Sequence, residues 1–152
     1  FSVNNITGFP EETRKLAFDT IELNRHFGST NVNIHTFVPF HGTPLRKLTD
    51  QMGLTTHETI TKCITDRSQM YMPQYTPDQI EGIIRTFVLY IKFPKSRWKD
   101  IEKAEKFTKE GEKIYKELRI EFLDKYMPPP EADSDLHTSK LNSSKQNIED
   151  EM

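Results

Sequence analysis

The sequence predicts an α/β fold in which two parallel strands and their helices lead into a purely helical region and then a polar tail. Three observations predict it. Strand-like and helix-like segments alternate over the first third of the chain. The apolar spacing then changes to that of helices alone. Finally, Pro128, Pro129 and Pro130 open a segment whose only apolar side chains are Ala132, Leu136, Leu141, Ile148 and Met152.

Val3-Asn4-Asn5-Ile6-Thr7 is short and rich in β-branched residues and stops at Gly8-Phe9-Pro10, which reads as a strand ending in a tight turn. Pro10 suits the first turn of a helix, and Glu11 and Glu12 suit the positive end of its dipole. That helix runs through Leu16, Ala17, Thr20, Leu23 and Phe27, and Gly28 ends it. A second strand covers Asn31 to Val38, where Val32, Ile34, Thr36 and Val38 alternate with Asn31, Asn33, His35 and Phe37. Pro39 and Gly42 close it. Thr43-Pro44 is a cap followed by a first-turn proline, with Leu45, Leu48 and Met52 as the expected buried stripe. Two strands joined through a helix lie parallel.

Beyond Gly53 a short helix is expected over Thr56 to Thr65. Thr76 with Gln79 forms a capping box, and Ile80, Ile83, Ile84, Phe87, Val88 and Ile91 mark one helix face. Pro94 and Ser96 interrupt the chain. One long helix, Trp98 to Tyr126, is then expected to be laced by pairs such as Glu102 with Lys106, Glu105 with Lys109, Glu112 with Lys116 and Glu121 with Lys125. Pro128 to Pro130 end it, and the polar tail that follows is expected to be disordered. The chain thus divides into residues 1–53, a helical region 54–127 and a tail 128–152.

A net charge of −2 with 29% charged residues argues against a nucleic-acid binder working through a basic surface. No apolar run approaches the roughly 18 residues that span a bilayer. Cys63 is the only cysteine, which excludes a disulfide within the chain and any site built on several of its thiolates. Placed mid-helix by the pattern, it reads as a small buried hydrophobe. With no signal segment at the N-terminus, a cytoplasmic setting is expected. His26, His35, His41, His57 and His137 have no metal-ligand spacing. Two parallel strands leave edges and a face unprotected, so the opening strand is expected to need a neighbour before Phe1.

Ligands of parallel sheets sit beyond the carboxyl ends of the strands. Two segments fall there: the Gly8-Phe9-Pro10 turn, and Phe37-Val38-Pro39-Phe40, an aromatic-rich strand end suited to a planar ring. By spacing alone each also reads as an ordinary turn.

The segment Asn4-Asn5-Ile6-Thr7-Gly8-Phe9-Pro10-Glu11-Glu12-Thr13-Arg14 resembles a late strand and its "GFP-x-ET" turn in radical S-adenosylmethionine (radical SAM) enzymes, especially the cobalamin-binding group. Phe37-Val38-Pro39-Phe40-His41-Gly42-Thr43-Pro44-Leu45 is similar to the "P-x-x-GTPL" segment after the next strand. The resemblance is specific from Val3 to Leu48, about a third of the chain. It implies the C-terminal portion of a partial (β/α)6 TIM-like barrel. It also implies a 4Fe-4S cluster held by three cysteines, S-adenosylmethionine on the open iron, and a 5′-deoxyadenosyl radical that abstracts a substrate hydrogen. Some members add cobalamin. In the family motif G-x-I-x-G-x-x-E, Ile6, Gly8 and Glu11 match, while Asn4 stands in place of the first glycine. The carry-over places Ile6 and Gly8 against the adenine, with Phe37, Val38 and Pro39 beside it. No three-cysteine motif is present, so the chain is expected to be a C-terminal fragment, inactive alone and partnered by the missing N-terminal part. The alternative is a non-enzymatic module that docks a partner through the Trp98–Tyr126 helix.

Overall fold

In the computed structural model, which describes residues 2–28, 31–61, 63 and 67–127, the strands β1 (Ser2–Thr7) and β2 (Asn31–Thr36) pair in parallel. Their register runs from Ser2 opposite Asn31 to Thr7 opposite Thr36. Helix α1 (Arg14–Phe27) connects them, and α2 (Pro44–Gln51) follows β2. Then come α3 (Pro77–Lys92), a 3-10 turn at Lys95–Arg97, α4 (Trp98–Ala104) and α5 (Lys109–Tyr126). Among the described residues this is a mixed α/β molecule with two parallel strands and five α-helices. None of these helices is long and apolar enough to cross a membrane. The tail, 128–152, lies outside the described residues.

The two-residue period works on both strands. Val3, Asn5 and Thr7, with Val32, Ile34 and Thr36, occupy the more buried face, and α1 packs on β1 while α3 packs on β2. Asn5 and Asn24 exchange amide hydrogen bonds of 3.3 and 2.8 Å, so the buried Asn24 ties α1 to β1 without an orphaned polar atom. The other face, with Asn4, Ile6, Asn33 and His35, is exposed.

Helix α3 is the centre of the molecule. Thr76 caps it in a full capping box, and it buries Ile80, Ile83, Phe87 and also Leu89 and Tyr90, because α1 lies on one side of it and α4 and α5 on another. At Gly82 an added Cβ would lie 2.9 Å from the Glu105 carbonyl oxygen, so glycine permits the close approach of that chain. The α3 C-terminus is closed from outside. Arg25 Nη1 of α1 donates to the carbonyls of Tyr90, Ile91 and Phe93 at 2.6, 2.8 and 2.7 Å.

Several expectations from the pattern are corrected. Helix α1 starts at Arg14 with Thr13 as cap, since Glu11 has φ 65° and Glu12 folds back onto the turn. Strand β2 ends at Thr36, not Val38, as the chain turns away after the Phe37 amide donates to Thr7 O. Leu45 and Leu48 of α2 and its C-terminal cap residue Met52 are exposed, and Arg46 and Thr49 are buried in their place. No helix forms over Thr56 to Thr61, where the Thr56 carbonyl accepts from Arg46 Nη2 at 2.7 Å; residues 62 and 64–66 lie outside the described residues. Cys63 is exposed and not helical.

The long C-terminal helix is two helices, broken at Glu105–Thr108. Thr108 recaps the chain by accepting from the Gly111 amide, and a Cβ at Gly111 would sit 2.0 Å from Lys106 O. Glu105 is buried against Arg14, not paired along a wet face, and Glu112 pairs with Arg85 at 2.6 Å. Glu121 does meet Lys125, at 2.6 Å.

Candidate functional site at the strand ends

A groove of about 550 Å³ opens on the exposed face of the sheet, at the carboxyl ends of both strands. Ile6 lines it from β1, His35 and Thr36 from β2, Phe37, Val38 and Phe40 from the loop after β2, and Phe9 from the turn after β1. Leu45 of α2 closes one side. The lining is mostly apolar. Phe9 stacks on Phe37 with ring centroids 4.8 Å apart and planes 28° apart, an aromatic pair that forms one wall of the groove.

Of the residues predicted for a ligand, Ile6, Phe37 and Val38 meet in this groove. Gly8 and Pro39 are buried and are not among its lining residues. Gly8 stands behind the wall, at φ 87°, where an added Cβ would be 3.2 Å from Ile80 Cδ1. Its place in the sequence reflects both a left-handed backbone and the close approach of α3. The Pro39 carbonyl accepts from Arg46 Nη1 at 3.3 Å.

The turn is organised by Glu12. Its carboxylate accepts from the Gly8 and Phe9 amides, the latter at 2.9 Å, and from the Thr7 hydroxyl at 3.2 Å. Glu11, which the family motif aligns with its acid, is exposed and makes none of these bonds. Tyr75 reaches Thr7 Oγ1 at 3.2 Å from below, and burial pushes its hydroxyl well above the ordinary tyrosine range. The sequence pointed to the turn that holds Phe9 but not to Tyr75 or Arg46, because sites assembled from separate segments have no local spacing signature. A proline-flanked aromatic in a glycine turn was the one available signal for Phe9.

A second buried polar cluster lies away from the groove. Glu105 receives both ends of the Arg14 guanidinium, at 2.7 and 2.9 Å, and the Tyr90 hydroxyl. His41 Nε2 lies 3.3 Å from Arg46 Nη1; because a guanidinium only donates, that nitrogen accepts. Among the described residues, no three His, Cys, Asp or Glu side chains converge as metal ligands. Comparison with family models, with curated proteins and with solved structures finds no match to this chain.

Proposed function

We propose that the chain is the C-terminal part of a radical S-adenosylmethionine enzyme. In this reading β1 and β2 are late strands of a partial (β/α)6 barrel, and the strand-end groove takes the adenosine side of the ligand. The observation that carries the reading is the groove itself. Of the five residues that the family resemblance assigns to adenine, Ile6 from β1 and Phe37 and Val38 from the loop after β2 line one apolar cleft with a stacked aromatic pair.

The lining suits a neutral planar ring better than a charged group, since His35 is its one ionisable side chain. When bound, S-adenosylmethionine supplies the 5′-carbon for radical chemistry. The part of this chain is to hold the adenine between the Ile6 and Val38 side chains and the Phe9–Phe37 wall, and to keep water from it. The residues present do not fit an iron–sulfur cluster: clusters take several thiolates, and the chain has the single Cys63. Cluster ligands, any cobalamin site and the substrate pocket therefore belong to the N-terminal partner in this proposal. The docking-module alternative has less support, because Leu118, Phe122 and Leu123 of α5 are buried within the chain itself.

The test has two parts. The coding sequence upstream of Phe1 is expected to encode a C-x-x-x-C-x-x-C motif; a start codon near Phe1 without one overturns the reading. The extended protein is expected to bind S-adenosylmethionine, with Phe9→Ala weakening binding about tenfold, the usual worth of one base–aromatic stack.

A further inference from the structure

We propose that Tyr75, in the helical region, is a positioning residue for the groove: it sets the Phe9 turn through the Thr7 hydroxyl and the Glu12 carboxylate. The inference rests on reading the groove as the adenosine pocket.

A hydroxyl has one proton. The Thr7 hydroxyl gives its proton to Glu12 Oε1, so the Tyr75 hydroxyl must be the donor to Thr7 Oγ1. The chain of donated protons runs from Tyr75 to Thr7 and ends on the Glu12 carboxylate, which from its other oxygen also accepts from the Gly8 and Phe9 amides. The Tyr75–Thr7 bond is buried, the Thr7–Glu12 and Gly8–Glu12 bonds are part-buried, and only the Phe9–Glu12 bond is exposed, so the set is anchored from the interior outward. Two more contacts come from the same stretch of chain. Gln74 Nε2 donates to the Glu12 carbonyl at 3.4 Å, and Ile80 fills the space that a Cβ on Gly8 would need. Tyr75 itself is fully buried, so its ring has no freedom to follow the turn. The turn carries Phe9, and Phe9 stacks on Phe37 to make the groove wall. The segment Gln74–Ile80 thus serves as a fixed cradle, and the helical region determines the width of a groove that it does not line.

The experiment compares Tyr75→Phe, Glu12→Gln and Thr86→Val in the full protein. Thr86→Val is the control, removing another buried hydroxyl bond, to Gly82 O at 2.8 Å, further along α3. Hydrogen exchange followed by mass spectrometry reads the amides of residues 7–12. Tyr75→Phe and Glu12→Gln are expected to speed exchange there about tenfold, and Thr86→Val to leave it unchanged. Titration with S-adenosylmethionine is expected to show affinity five- to tenfold weaker in the first two variants only. Unchanged exchange in Tyr75→Phe, or an equal rise in Thr86→Val, overturns the proposal. If exchange responds but the wild type does not bind S-adenosylmethionine, the adenosine reading fails while the link from Tyr75 to the turn stands. If Tyr75→Phe does not fold, Thr7→Val, which removes the hydroxyl joining Tyr75 to Glu12, decides in its place by the same two readouts.

Discussion

Arg46 holds four partners at once from a position that is 3% exposed. Its Nε donates to Asp50 Oδ1 at 2.9 Å, and its two terminal nitrogens reach the Pro39 and Thr56 carbonyls and His41. A buried guanidinium is tolerated only when its donors are met, and here they fasten the loop after β2 to the segment after α2. Asp50 also accepts from Thr55 Oγ1 at 2.6 Å, and this bond, then the one from Arg46, holds its carboxyl below the ordinary value of 3.8. A depressed folded-state value means that ionised Asp50 adds stability above pH 3.8, and that this is lost as pH falls through the lowered value. The urea midpoint of wild type is therefore expected to exceed that of Asp50→Asn at neutral pH. The gap should close as pH drops below about 4, with equal midpoints at all pH values counting against the assignment.

At the scale of elements, four helix starts are closed by local side chains, whereas the end of α3 is closed by a distant one. Thr13, Thr43, Thr76 and Thr108 are local N-caps. The carbonyls at the end of α3, by contrast, are satisfied by Arg25 of α1, which also lies 5.7 Å from the Trp98 ring centroid. Arg25→Met keeps an unbranched apolar side chain but leaves three carbonyls short of a charged donor. It is expected to cost about 2–3 kcal/mol, read as a lower urea midpoint with an unchanged slope. A cost below about 0.5 kcal/mol would mean that water replaces the guanidinium.

At the scale of the whole molecule, the apolar surface is unevenly finished. Leu16, Leu23 and Phe27 form a stripe on the outer side of α1, each about half exposed, while Leu45, Leu48 and Met52 do the same on α2 and its C-terminal cap. Among the described residues each strand pairs only with the other, so both sheet edges stay open. Such surfaces bury themselves against whatever is available. The isolated chain is expected to associate as its concentration rises, by sedimentation velocity, and Leu23→Lys with Phe27→Lys to shift it toward monomer. A wild-type chain that stays monomeric at high concentration would mean these faces need no cover.

Local chemistry was enough to determine the strand pair, α3 and the caps at Thr43 and Thr76, because turn residues, caps and two-residue alternation act over a few neighbours. That is why Gly28, Thr43 and Thr76 were legible as boundaries, and why Ile6, Phe37 and Val38 were legible as groove residues through the resemblance. Tertiary structure decided what lies behind them. Arg46 outcompetes leucine for the interior of α2 because carbonyls from two loops converge there. Glu105 leaves its expected surface pairing because Arg14 and Tyr90 meet it in the core, and the last helix breaks where Gly111 admits the Lys106 carbonyl. Glu12 takes the turn that Glu11 matched by motif. Each of these choices depends on groups tens of residues apart, and long-range hydrogen-bond satisfaction leaves no period in a sequence.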